Sequence, residues 1–127
     1  MKHIIQQVFS NILENPVLDL SLIEKYFSKD YIQLVDHHQL NYEEFILHIK
    51  KLKEKVVEQK IDIINYAENG NIIFTHHTAK SVLKDGSVVK HKVLAEFTIH
   101  KGKIIRCNEL TLLLEGNTTE ENLGSEL

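Results

Sequence analysis

The chain has 127 residues, 43% of them hydrophobic, and a formal net charge of −3 with its histidines neutral. That length supports a sizeable core without disulfide or metal staples, and the mild acidity argues against nucleic-acid binding, which calls for a basic face. A lone cysteine, Cys107, excludes an internal disulfide and suits a reducing compartment. No run approaches the ~18 apolar residues of a membrane span. Met1-Lys2-His3 leads straight into an amphipathic pattern without a signal-peptide core. A cytoplasmic location, with neither membrane nor nucleic acid as partner, is expected.

Ile4, Ile5, Val8, Phe9, Ile12 and Leu13 recur at helical spacing and predict a first helix with one buried stripe. Asn15-Pro16 ends it. A shorter second helix is expected from about Val17 to Phe27, with a restart at the capping-box spacing of Ser21 and Glu24 as the alternative. Tyr31 to Val35 is open between strand and loop, with Asp36-His37-His38 as a turn. A third helix starts at Asn41, with Glu43 and Glu44 in its first turn and Lys50, Lys51, Lys53 and Lys55 towards its end, which complements the helix dipole. The lysine run reads as its solvated face. Apart from the Tyr31 to Val35 stretch, the chain before Gln59 is read as helical.

Ile61 to Glu115 reads as four long strands joined by tight turns at Asn69-Gly70, Asp85-Gly86 and His100-Lys101-Gly102. Three helices followed by an antiparallel meander is an α+β pattern, with the helices on one face of the sheet. Residues 1–116 are expected to form one domain, and the acidic, polar stretch from Asn117 to Leu127 a loosely held tail.

Turn length fixes which side chains face the helices. A two-residue turn at Asp85-Gly86 pairs Lys80 with His91 and Phe74 with Phe97. It turns Phe74, His76, Thr78, Lys80, His91, Val93, Ala95 and Phe97 inward. A three-residue loop at His100-Lys101-Gly102 pairs Ile99 with Lys103, sets Glu109 opposite Val93, and turns Ile105, Cys107, Glu109 and Thr111 inward. A two-residue loop would turn Glu109 outward and Arg106 towards Phe97. The first register is preferred, because it also pairs Glu96 with Arg106 outside. A carboxylate, two imidazoles and a lysine on a covered face are costly unless paired or lining a wet cavity. The expected pocket therefore carries Glu109, His91 and His76 as acid–base groups, with Lys80, Thr78, Cys107, Thr111, Phe97 and Phe74 around them. Asp36 is a further candidate base at the rim.

His91, Glu109 and Lys80 also suit a satisfied structural cluster, and Asp36-His37-His38 a solvated loop. Cys107 suits a small apolar filler. His76 and His77 point to opposite faces of one strand and cannot chelate together, so no metal is expected.

The order of elements, Phe97-x-x-x-x-Gly102-Lys103-Ile104, and the closing Glu109-Leu110-Thr111-Leu112-Leu113-Leu114-Glu115-Gly116 resemble the nuclear transport factor 2-like superfamily in its SnoaL-like branch. That resemblance implies a cystatin-like cone with a pocket between curved sheet and helices, and a homodimer formed through the sheet. It implies a small apolar ligand and no cofactor. It points to isomerase, cyclase or dehydratase chemistry on a carbonyl compound, or to a non-catalytic ligand-binding or scaffold module of the same fold. The isomerase-like strand carboxylate falls at Ala95 here, the phenol donor near Asn11, and the cyclase-like late aspartate at Leu112. Asp36 lies one position from the isomerase-like base.

Overall fold

The computed structural model describes residues 2–116; the expected tail from Asn117 to Leu127 lies outside them. Element order is α1 (Lys2–Val8), a π-helical turn (Phe9–Leu13), α2 (Leu20–Tyr26), β1 (Phe27–Val35), β2 (His38–Leu40), α3 (Tyr42–Lys55), β3 (Val56–Asn69), β4 (Ile72–Leu83), β5 (Val88–His100) and β6 (Lys103–Glu115). The expected first helix is thus half α and half π, closed by Glu14 N–H on Phe9 C=O at 2.8 Å. A π-turn widens the helix by one residue per bond, and here it still leaves Phe9 and Ile12 buried.

The second helix is shorter than expected. Its cap is Asp19, whose carboxylate accepts from the Ser21 and Leu22 backbone N–H groups, so Ser21 lies inside the first turn. α3 begins as the sequence predicts, with Asn41 and Glu44 forming a reciprocal capping box. Its lysines are not all solvated. Lys53 is half-buried, and its Nζ donates to the carbonyls of Ile12 at 2.6 Å and of Asn15. It thereby caps the end of the π-turn, and burial lowers its pKa.

The six strands form one curved sheet in the order β2-β1-β6-β5-β4-β3. β1 runs parallel to β6, so the sheet is mixed, not purely antiparallel. The meander begins at Val56, several residues before the expected Ile61. Helices cover one face. Ile5, Val8, Phe9 and Ile12 of the first helical segment, Ile23 and Tyr26 of α2, and Phe45 and Ile49 of α3 pack on Ile73, Val93, Ala95, Phe97, Ile99, Ile104 and Cys107. Phe27, Tyr31 and Phe45 make a compact aromatic group with centroids 4.8–4.9 Å apart.

Three turns set the register, each differing by a residue from the simplest reading. The β3–β4 loop is Gly70-Asn71, with Gly70 supplying the positive φ of 60°. The β4–β5 loop has three residues, Lys84 to Gly86. Leu83 N–H donates to Ser87 C=O, and the Asp85 carboxylate accepts from Ser87 N–H at 2.9 Å and Ser87 Oγ at 2.6 Å. This Asx-type anchoring favours the longer loop over a two-residue turn. Lys80 consequently pairs with Lys90, and His91 with Ala79. One residue of slip reverses every β4 side chain.

The β5–β6 loop has two residues, Lys101 (φ 51°) and Gly102 (φ 77°), closed by the His100–Lys103 pair. By itself that would turn Glu109 outward. A bulge between Thr98 and Ile99 restores the missing residue, so Glu109 still faces the helices and Arg106 is exposed. Asn71 anchors Ile99 from the neighbouring hairpin, accepting from its N–H at 2.9 Å and donating to its C=O at 3.2 Å. The pairing is shifted by two from the expected register. Glu109 lies opposite Ala95 and Thr111 opposite Val93, and Arg106 faces Thr98 instead of Glu96. Ile104, not Ile105, is the fully buried residue at the start of β6.

Candidate functional site

Between the helices and the inner face of the sheet lies a cavity of about 110 Å³. Phe9 and Leu13 from the π-turn, Phe45, Ile49 and Leu52 from α3, and Phe97 from β5 supply much of its apolar wall. Its polar groups fall on two sides.

The first side is built by β1 and β6, which pair in parallel with Gln33 beside Cys107 and Val35 beside Glu109. Tyr31 Oη donates to Gln33 Oε1 at 2.8 Å, and Gln33 Nε2 donates to Glu109 Oε1 over a longer 3.4 Å. The Tyr31 hydroxyl and Cys107 thiol also share a hydrogen bond. Burial is the main cause that pushes both the phenol and the thiol well above their ordinary pKa values, with the Glu109 charge adding to it. Cys107 therefore stays a thiol. Glu109 as a residue is half-buried, but its carboxyl is enclosed. Burial first, and the nearby Asp36 charge second, raise its pKa to about 7.

The second side is built by β4 and β5. His77 and His91 are buried on it with Ser81, and His48 of α3 joins them. His77 Nδ1 shares a 2.9 Å hydrogen bond with Thr75 Oγ1, and its ring lies 4.8 Å from that of Phe9. Burial, with a contribution from His76, lowers its pKa to about 4, so the ring is neutral at physiological pH.

Several expected pocket residues lie elsewhere. The β4 slip turns Phe74, His76, Thr78 and Lys80 onto the outer face, and Phe74 is 42% exposed. Thr75, His77, Ala79 and Ser81 take the inward positions instead. His91, Phe97, Cys107, Glu109 and Thr111 line the cavity. Asp36 is exposed in a left-handed turn (φ 53°), and both its oxygens are engaged by Thr111, from N–H at 2.8 Å and from Oγ1 at 2.6 Å. It acts on the cavity only through the charge it sets beside Glu109. His77, Ser81, Gln33, Tyr31 and His48 were not singled out by sequence reasoning. The Asp85 to Ser87 spacing was the one available signal for the first two, because it favours a three-residue loop. Among the described residues, no group of three or more His, Cys, Asp or Glu side chains is arranged to hold a metal ion, and no helix is long and apolar enough to cross a membrane.

This architecture matches solved structures along most of the chain. AclR of Streptomyces galilaeus, described as a hydroxylase, superposes with a TM-score of 0.76 at 11% identity, covering 99% of this chain and 85% of that one. A protein of Jannaschia sp. CCS1 described as a SnoaL-like polyketide cyclase gives 0.70 at 13% identity over 86% and 83%. An LEH-like epoxide hydrolase of M. tuberculosis gives 0.71 at 15% identity over 87% and 80%. No family model matches the sequence. The chain thus shares the fold of these structures, a SnoaL-like polyketide cyclase among them, in line with the resemblance drawn from its sequence. It belongs to the family of the Schizosaccharomyces pombe "Uncharacterized protein C11D3.04c", with 32% identity over 107 residues, 84% of this chain and 82% of that protein.

Proposed function

We propose that residues 1–116 form one cone-shaped, cytoplasmic domain that acts on a small apolar carbonyl compound by general acid–base chemistry, with Glu109 as the proton carrier. The observation that carries this reading is an enclosed carboxyl, Glu109, sharing an apolar cavity with a neutral imidazole, His77. A carboxyl with pKa near 7 is present in both forms at neutral pH, which suits a group that must take a proton and give it back. As carboxylate it removes a proton from the carbon next to the carbonyl. The C–H electron pair becomes the enolate C=C bond, and the carbonyl π pair moves to oxygen. With the Thr75 hydroxyl donating to Nδ1, His77 Nε2 carries the ring proton and can donate to that oxygen. Return of the proton from Glu109 to another carbon completes an isomerisation; expulsion of a β-hydroxyl, which takes the Glu109 proton and leaves as water, gives dehydration; attack of the enolate on a second carbonyl, whose oxygen takes that proton, gives cyclisation. His91 stands on the same side as His77 as a second donor, and Asp36 tunes Glu109 from outside.

The reaction is testable before a product is known. In D2O, small enones incubated with the protein should exchange their acidic C–H for deuterium, followed by proton NMR. Glu109→Gln should slow that exchange by roughly 10²–10⁴-fold with the fold intact. Exchange that is no faster than buffer, or that is unaffected by the substitution, contradicts the catalytic role. In that case, retained ligand binding would favour a non-catalytic pocket protein of the same fold.

We further propose a homodimer through the outer sheet face. Leu94, Leu110, Leu112 and Leu114 are 49–62% exposed there, and a groove of about 480 Å³ bordered by Phe74, His76, Leu94 and Leu110 crosses it. Such a contiguous apolar face on a sheet marks an interaction surface. Sedimentation should give a dimer at micromolar concentration, and a monomer would refute this pairing.

A further inference from the structure

The cavity constrains what it can take in three independent ways. Its free volume, about 110 Å³, is below the roughly 150 Å³ at which an apolar protein cavity accommodates a benzene ring. Its lining contains no lysine or arginine among the described residues, so no ammonium or guanidinium offsets the cost of bringing in an anion beside Glu109. Its unsatisfied polar atoms are also few and separated. Ser81 is 2% exposed and His77 4% exposed, and neither the Ser81 hydroxyl nor His77 Nε2 has a hydrogen-bond partner among the described residues. Buried polar atoms without a partner are costly, and a ligand atom would relieve that cost.

The sheet register sets their spacing. Thr75, Ala95 and Glu109 form one row across β4, β5 and β6, and His77, Val93 and Thr111 the next inward row. Glu109 and His77 thus rise from strands two spacings apart, about 10 Å across the sheet. Ala95 and Val93 form a low apolar floor between them. After each side chain has extended inward, the remaining gap suits one ring or a short chain.

We propose that the cavity selects a neutral compound no larger than one small ring, about five or six non-hydrogen atoms, with its oxygen towards His77 and its acidic C–H towards Glu109. Fused polycyclic compounds and carboxylates are excluded. The proposal rests on the acid–base reading of the same cavity, and narrows its substrate class.

The test is a thermal-shift series on the full chain, with 2-cyclopentenone, 1-tetralone, a four-ring enone steroid, and the matched pair cyclopropyl methyl ketone and cyclopropanecarboxylate. The two one-ring ketones should raise the melting temperature by about 4 °C near saturation, while tetralone, steroid and carboxylate should not. His77→Phe, which keeps a ring and removes its donor, should weaken 2-cyclopentenone roughly 5–10-fold, while Ser81→Ala, three inward rows from Glu109, should leave that affinity unchanged. Ile61→Ala, which enlarges the half-buried β3 wall, should admit tetralone. A wild-type shift with tetralone, steroid or carboxylate overturns the size or charge limit while leaving a pocket protein in place. No shift with any compound overturns both this proposal and the reading beneath it. Unchanged 2-cyclopentenone affinity in His77→Phe overturns the assigned orientation.

Discussion

The two polar sides of the cavity solve one problem in opposite directions. On the β1/β6 side, dehydration raises the pKa of an acid, Glu109, to about 7. On the β4/β5 side, the same dehydration lowers that of a base, His77, to about 4. Both favour the uncharged form, so an apolar cavity tolerates an acid and an imidazole together without an ion pair. The sides differ in their supports. Glu109 is contacted by an amide that is itself oriented by a phenol, while His77 leans on one threonine and a phenylalanine ring.

The largest effect on this contrast should come from Phe9→Ala. It removes the ring against His77 and a buried core side chain, at a cost of about 3–5 kcal/mol in denaturant unfolding. It should also let the His77 titration, followed by NMR, climb towards its ordinary 6.5 while Glu109 stays near 7. Equal movement of both groups would mean that the sides are not independent.

Next comes Glu109→Gln. A folded pKa raised from 4.5 to about 7 gives stability that is whole below pH 4.5 and is lost as pH rises through 7. The variant should match the wild type near pH 4 and exceed it by roughly 3 kcal/mol at pH 8. His77→Asn should show the mirror image. A pKa depressed from 6.5 to about 4 gives stability that is whole above pH 6.5 and lost on acidification through 4. Relative to wild type, this variant should gain roughly 3 kcal/mol between pH 7 and pH 4, on top of a pH-independent loss from the missing ring contact. In the wild type the two slopes oppose each other between pH 4.5 and 6.5, so its melting temperature should vary less there than that of either variant.

The two sides also differ in how far the sequence discloses them. The helices, the strand meander and the α+β class follow from periodicity and capping residues such as Asn41 and Glu44. Glu109 is legible because two departures cancel: a two-residue loop at Lys101-Gly102 and a bulge that leaves Ile105 of β6 unpaired together keep its phase unchanged. His77 is not legible, because a single departure, the three-residue loop at Asp85, has nothing to cancel it and exchanges His77 for His76. Gln33 and Tyr31 are hidden for another reason. They reach the site through a parallel pairing of β1 with β6 across most of the chain, which no local pattern encodes.

The smallest effect concerns that hairpin. Lys101 holds a left-handed backbone (φ 51°), so Lys101→Gly should stabilise the fold by roughly 1 kcal/mol or less and leave both titrations in place. A shift in the Glu109 titration would show that the loop alone, without the bulge, sets the facing of β6.

Carbon-13 NMR of the Glu109 carboxyl across pH 3 to 9 tests the acid–base account most directly. A midpoint near 7, falling towards 4.5 when Phe45→Ala opens the cavity to water, is the predicted result. A midpoint near 4.5 in the wild-type protein would mean a hydrated carboxyl, and Glu109 could then not serve as the proton carrier.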